Sequence, residues 1–245
     1  MKLSLILSTL LLFGSNLFAA GHFVDYKIND QTYEGYYVSP AADAPLVIMI
    51  HDWDGLNDYE IKRAGMLEDL GYAVFAADMY GKGVRPTETA DKKRLTGALY
   101  QDRVKMRQLL EAAVAAAKAQ GGNIDNAVTI GYSVGGAVTL EHARSGIPLK
   151  GFVSFHGGLK TPQGQDYGQA HGKLLILHGT ADAAVSMQDF ANLAMELEQA
   201  NISHEMITYS GAPHAFTVFG SDRYRKDADE KSWRRFTEYL EETLK

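Results

Sequence analysis

An α/β fold with a mostly parallel central sheet and helices on both faces is the architecture this sequence predicts, on three observations. Short, continuously apolar runs such as Pro-Leu-Val-Ile-Met-Ile at 45–50 and Leu-Leu-Ile-Leu at 174–177 recur along the chain, as expected of strands buried on both sides. Segments of helical period lie between them. The alternation runs on without an internal repeat, a low-complexity tract or an obvious linker, over a length that suits one large domain.

Taken in order, the chain opens on a leader. Lys2 precedes an apolar run from Leu3 to Phe13, then a more polar turn and the small residues Ala19 and Ala20. That is the layout of a secretory signal peptide cleaved near Ala20, and the run is shorter than the roughly 20 residues of a bilayer span. An uncleaved anchor or a buried helix is the competing reading. The expected organisation is therefore a signal peptide at 1–20 and a single domain at 21–245, exported to the periplasm or beyond. Residues 23–28 and 31–38, rich in aromatic and β-branched side chains, flank Asn29-Asp30 as a hairpin. Strand 45–50 leads into a helix over 58–71 that stops at Gly71, and strand 72–78 into a long amphipathic helix from Lys92 to Gln120. Strand 126–132 is followed by a helix from Val134 to Arg144. Two further strands, at 150–158 and 172–179, precede a helix from Met187 to Ala200. A strand at 203–211 and a closing helix from Asp227 to Leu244 complete the series. On that last helix Trp233, Phe236, Leu240 and Leu244 share one face, which reads as core rather than as a cofactor box.

Composition narrows the function. The chain carries 24 basic and 30 acidic residues, for a net charge of −6, a balance that argues against nucleic acid and anionic membrane surfaces as partners. It has no cysteine, so there is no disulfide framework, no thiolate nucleophile, no cysteine metal site and no lipid-anchored lipoprotein. After signal cleavage no stable membrane insertion is expected, and the expected partner is a small molecule.

Parallel sheets gather their chemistry at the carboxyl ends of the strands. The stretch Gly131-Tyr132-Ser133-Val134-Gly135 stands there, between a strand and a helix, which is the setting of a nucleophile elbow. A serine needs a base to take its proton and a third group to orient that base. Asp182 follows the strand at 172–179, and His214 follows the strand at 203–211, so the chain order is Ser133, Asp182, His214, each after a different strand. The competing readings are Ser133 as a helix N-cap, Asp182 as a cap of the next helix and His214 as a surface histidine. Asp189 and Asp166 are the fallback carboxylates. His51, His156 and His178 each end a strand and are expected to line or support the cleft. A metal held by His51, Asp52 and Asp54 is a weaker reading of the same loop.

The set His-Asp-Trp-Asp-Gly at 51–55, Tyr-Ala-Val-Phe-Ala-Ala-Asp-Met-Tyr-Gly-Lys-Gly at 72–83, Gly-Tyr-Ser-Val-Gly-Gly at 131–136, His-Gly-Thr-Ala-Asp at 178–182 and Gly-Ala-Pro-His-Ala-Phe at 211–216 resembles the dienelactone hydrolase family of the α/β-hydrolase superfamily. The resemblance covers nearly the whole chain beyond the leader and implies the α/β-hydrolase fold. It implies Ser133 as nucleophile, Asp182 as orienting acid and His214 as general base, with the backbone N–H groups of Trp53 and Val134 in the oxyanion hole. This chain departs from the family in having Ser133 where the family's nucleophile is usually cysteine. Asp52 stands where the family has a glutamate that holds the thiol. Lys82 corresponds best to one expected basic residue, while Val218 falls near the place of a second. Asp52, Lys82 and His156 are the further residues expected to touch substrate.

The reading that follows is a serine hydrolase cleaving a small ester, lactone or thioester through an acyl-enzyme, with no metal or organic cofactor implied. An exported peptidase or polysaccharide deacetylase on the same fold, and a catalytically silent binding protein, are the alternatives.

Overall fold

The computed structural model describes residues 21–245, so the leader expected at 1–20 lies outside the described residues. Eight strands form one sheet: β1 (His22–Ile28), β2 (Gln31–Val38), β3 (Pro45–Ile50), β4 (Ala73–Ala77), β5 (Asn123–Tyr132), β6 (Gly151–Phe155), β7 (Lys173–Gly179) and β8 (His204–Tyr209). Among the described residues six helices accompany them: α1 (Asp58–Glu68), α2 (Thr89–Gln101), α3 (Arg103–Ala119), α4 (Val134–Arg144), α5 (Met187–Gln199) and α6 (Lys226–Leu244). The strand order is β1-β2-β4-β3-β5-β6-β7-β8; only β2 runs against its neighbours, and the pairs from β4 to β8 are all parallel. The α/β-hydrolase fold is thus the one built, and every expected strand is present.

Period-two geometry explains how the apolar runs are used. On β3, Leu46, Ile48 and Ile50 join the core with α3, α4 and α5, while Val47 and Met49 join the core with α1 and α6. Each such side chain, fully withdrawn from water, favours the folded state by about 1.5–3 kcal/mol. The crossovers matter for function. From β3 the chain leaves through α1 on one face to reach β4, and from β5 it leaves through α4 on the other face to reach β6. The carboxyl ends of the adjacent strands β3 and β5 therefore open a crevice between diverging connections.

One expected element is corrected. The helix expected from Lys92 to Gln120 is two helices, α2 and α3, broken at Asp102. Asp102 leaves helical geometry at φ −113° and ψ 82°, and its side chain accepts from the Lys105 N–H, capping the second helix. An aspartate so placed competes with the helix for its own backbone donors.

Buried charge holds the layers together. Glu141 on α4 is fully buried and takes Arg107, Arg144 and Arg103 at 2.8, 3.0 and 3.4 Å. Burial pushes its carboxyl up, but Arg144 and Arg107 outweigh this and hold it below the usual range. Next to it on α4, His142 bonds Thr129 Oγ1 through Nδ1 at 3.0 Å, and burial pushes its imidazole down to about 3. The folded state refuses a proton that the unfolded chain accepts near pH 6.5, so stability present above pH 6.5 is lost as pH falls toward 3. At about 1.4 kcal/mol per pH unit, the loss reaches several kcal/mol. Denaturant titrations of the parent and His142→Asn are expected to show the parent's advantage shrinking from pH 7 to pH 4. An advantage that stays constant across that range would show that His142 does not carry the acid limb.

Candidate active site

The site is built from the ends of four strands. β5 ends at Tyr132, and α4 starts at Val134, leaving Ser133 alone to turn the chain at φ 53° and ψ −110°. A side chain held in this region of backbone space costs about 1–3 kcal/mol, so the surrounding structure must enforce it. Here the flanking glycines permit the turn. A Cβ on Gly131 would lie 2.1 Å from the Gly135 carbonyl oxygen, and one on Gly135 would lie 2.3 Å from that of Ile50 on β3. Ser133 is no side-chain N-cap of α4. Its Oγ meets His214 Nε2 at 2.8 Å instead.

His214 lies in the loop after β8, and Asp182 in the turn after β7. His214 Nδ1 and Asp182 Oδ2 are 2.8 Å apart. The other carboxylate oxygen, Oδ1, accepts from the N–H groups of Ala184 and Val185 at 2.8 and 2.9 Å. Burial pushes the Asp182 carboxyl up, but the His214 ring and these two amides outweigh it and hold it below the usual range. An ionised Asp182 accepts the Nδ1–H, which assigns the Nε2 lone pair to the Ser133 hydroxyl. The fallback carboxylates are engaged elsewhere: Asp189 caps α5, and Asp166 accepts from the Gly168 N–H.

The loop after β3 borders the crevice. Asp52 is buried, and its Oδ1 accepts from the N–H of Trp53, the amide expected in the oxyanion hole. Burial raises the Asp52 carboxyl to about 6, against the lowering effects of the Trp53 amide, His214 and Ser133. The loop is tied to α1 by Glu60, whose two carboxylate oxygens accept from the backbone N–H groups of Asp52 and Asn57. Val134 opens α4, where the first amides have no partner within the helix.

His51 and His156 support the site from behind. His51 Nε2 accepts from the Met79 N–H at 3.1 Å, and Nδ1 faces the Asp52 carbonyl. His156 is fully buried, its ring 5.5 Å from that of His214 and edge-on to it. His156 Nε2 meets Thr217 Oγ1 at 2.8 Å; Thr217 Oγ1 also meets the Tyr59 hydroxyl at 2.7 Å, and the Thr217 carbonyl accepts from Arg63 at 3.0 Å. Arg63 pairs with Asp229 of α6. The segment carrying His214 is thus pinned to β6, α1 and, through Arg63, to α6. His178 stacks on Phe190, and burial pushes its imidazole down, with Asp182 opposing that shift and His214 adding to it.

Two residues expected to touch substrate are withdrawn from it: His156 is fully buried behind His214, and Lys82 lies out of the site. Its ammonium is held by Asp25 at 2.6 Å and Glu34 at 3.3 Å on the β1–β2 hairpin, because its backbone N–H bonds Thr32 of β2 and carries the side chain to that edge. Sequence reasoning missed Tyr59, Glu60 and Thr217. Glu60 had a readable signal, since Asn57 and Glu60 form a capping box. Thr217 and Tyr59 had none, since their 158-residue separation is closed only by the fold.

Comparison with known proteins gives the family. The family model described as "Dienelactone hydrolase family" matches residues 33–244. A protein of Escherichia coli strain K12, named as an inferred carboxymethylenebutenolidase, is 26% identical over 210 residues, covering 81% of this chain and 77% of its own. A Bradyrhizobium protein named as an inferred 2-oxo-3-(5-oxofuran-2-ylidene)propanoate lactonase is 26% identical over 236 residues, covering 89% and 92%. Among solved structures, a dienelactone hydrolase-like promiscuous phosphotriesterase from metagenomic libraries superposes with a TM-score of 0.86 at 29% identity, over 92% of this chain and 99% of that one. An acylaminoacyl peptidase of Pyrococcus horikoshii shares the fold alone, with a TM-score of 0.72 at 14% identity over 92% of this chain and 42% of its own. With residues 33–244 so matched, the chain belongs to the dienelactone hydrolase family and is a hydrolase of the α/β-hydrolase fold.

Proposed function

We propose that this hydrolase cleaves a small ester, lactone or thioester through an acyl-enzyme on Ser133. The observation that carries the reading is the unbroken line from Ser133 Oγ through the His214 ring to Asp182, at 2.8 Å for each step. His214 takes the Ser133 proton as Oγ attacks the carbonyl carbon, and Asp182 holds the ring in the tautomer that makes this possible. The N–H groups of Trp53 and Val134 receive the oxyanion, Trp53 once the Asp52 carboxylate has turned away from it. His214 then protonates the leaving group and activates the water that releases the acyl product. Asp52 and His156 act on this machinery from its edges, Asp52 at the oxyanion loop and His156 against the general base. The leader at 1–20 supports export, with the periplasm as the simplest destination.

Labelling by a fluorophosphonate probe tests the nucleophile. The protein is expected to label, and Ser133→Ala and His214→Ala are each expected to lose at least about 99% of the labelling rate, the scale on which an activated serine exceeds a free one. A folded parent that does not label would overturn the reading.

A further inference from the structure

We propose that the cavity beside Ser133 is a subsite for an uncharged or amine-bearing group, so that the substrates are esters or thioesters whose docked part carries no carboxylate; this rests on the ester-hydrolase reading above. The cavity, about 610 Å³, runs from Asp52 and Trp53 after β3, along the first turns of α1, to the 218–223 segment beyond His214. Its volume suits a small organic group.

Two features define what it takes. Its walls include Trp53, Tyr59, Val218 and Phe219, which offer apolar and aromatic contact. Its charges are sorted by depth. Lys62 and Arg223 are exposed at the rim and are matched there by the exposed Asp58 and Asp222. Lys62 is further engaged over the Phe219 ring, 4.2 Å from its centroid. At the end walled by the β3 loop, the charged lining groups are both carboxylates, the buried Asp52 and the half-buried Asp54. Lys92, 3.9 Å from Asp54, offsets one of them and leaves the other. A carboxylate docked there would exchange hydration for a like charge, while an apolar group or an ammonium would not. Lys82, the basic residue best placed by sequence to bind an acid, is spent on Asp25 and Glu34.

Three phenyl acetates, carrying a para ethyl, aminomethyl or carboxymethyl group, test the inference, with kcat/KM normalised to the rate with hydroxide. The carboxymethyl ester is expected to be about tenfold poorer than the ethyl ester, and the aminomethyl ester equal to it or better, as expected for unit charges a few ångströms apart at intermediate dielectric. In Asp54→Asn the carboxymethyl-to-ethyl ratio is expected to rise at least about threefold, and in Asp222→Asn, at the screened rim, by less than about twofold. A parent that hydrolyses the carboxymethyl ester as well as the ethyl ester overturns the subsite, whether or not either variant folds. So does a ratio untouched by Asp54→Asn in protein that still labels at Ser133. If no ester is turned over and Ser133 does not label, the hydrolase mechanism on Ser133 falls and the subsite falls with it; Ser133-dependent turnover without discrimination overturns the subsite alone.

Discussion

Asp182→Asn is expected to lower kcat/KM by about three to four powers of ten, with the thermal midpoint nearly unchanged. The two oxygens of this carboxylate have different partners, and that asymmetry dictates the result. Oδ1 accepts from the Ala184 and Val185 amides, so the oxygen of an asparagine remains there, and its NH₂ group falls where Oδ2 meets His214 Nδ1. A donor facing Nδ1 moves the ring proton to Nε2, which then points a hydrogen at Ser133 in place of a lone pair. The loop keeps its hydrogen bonds while the base loses its basic atom. Steady-state kinetics beside a melting curve will separate the two effects; a loss smaller than tenfold would mean that some other group orients His214.

Gly135→Ala is expected to destabilise the fold by about 3 kcal/mol or more, at the upper end of the cost of overpacking. The new Cβ would lie 2.3 Å from the Ile50 carbonyl oxygen and 2.6 Å from that of His51. Both are backbone atoms at the end of the central strand β3, so neither can swing aside. The comparison is Gly65→Ala on α1, where a Cβ meets nothing within 4 Å. That substitution removes backbone freedom from the unfolded chain and is expected to stabilise by about 0.5–1 kcal/mol. Chemical denaturation of both variants measures the contrast, and a Gly135→Ala protein as stable as the parent would show that helix α4 can lift away from β3.

The fold was legible because its strands are unmixed apolar runs and its helices carry a clear period. The candidate site was legible because Ser133, Asp182 and His214 each follow their own strand closely. What escaped notice has a common physical origin. On α1 the buried face is Glu60, Arg63, Ala64 and Leu67, so two charged side chains occupy core positions that an apolar period does not register. They are buried because Glu60 ties the β3 loop to the helix and because Arg63 has Asp229 and the Thr217 carbonyl as distant partners. The break at Asp102 was hidden in the same way, as one polar residue in a long helical pattern. Lys82 followed from the position of its motif, yet motif position says nothing of which carboxylates a long side chain will find.

The order of strands also sets when during synthesis the machinery can exist. Ser133 and the β3 loop precede β7, β8 and α6, and the elbow is held by β3, β5, the start of α4 and β6, whose Phe155 carbonyl accepts from the Ser133 N–H. His214 lies 81 residues later, beyond β8, on a segment that is itself anchored through Arg63 to the final helix. On the mechanism proposed above, a nascent or truncated chain ending before α6 therefore carries an unactivated serine, and reactivity appears only once the last helix has docked. Activity that depends on this arrangement is a report of completed folding.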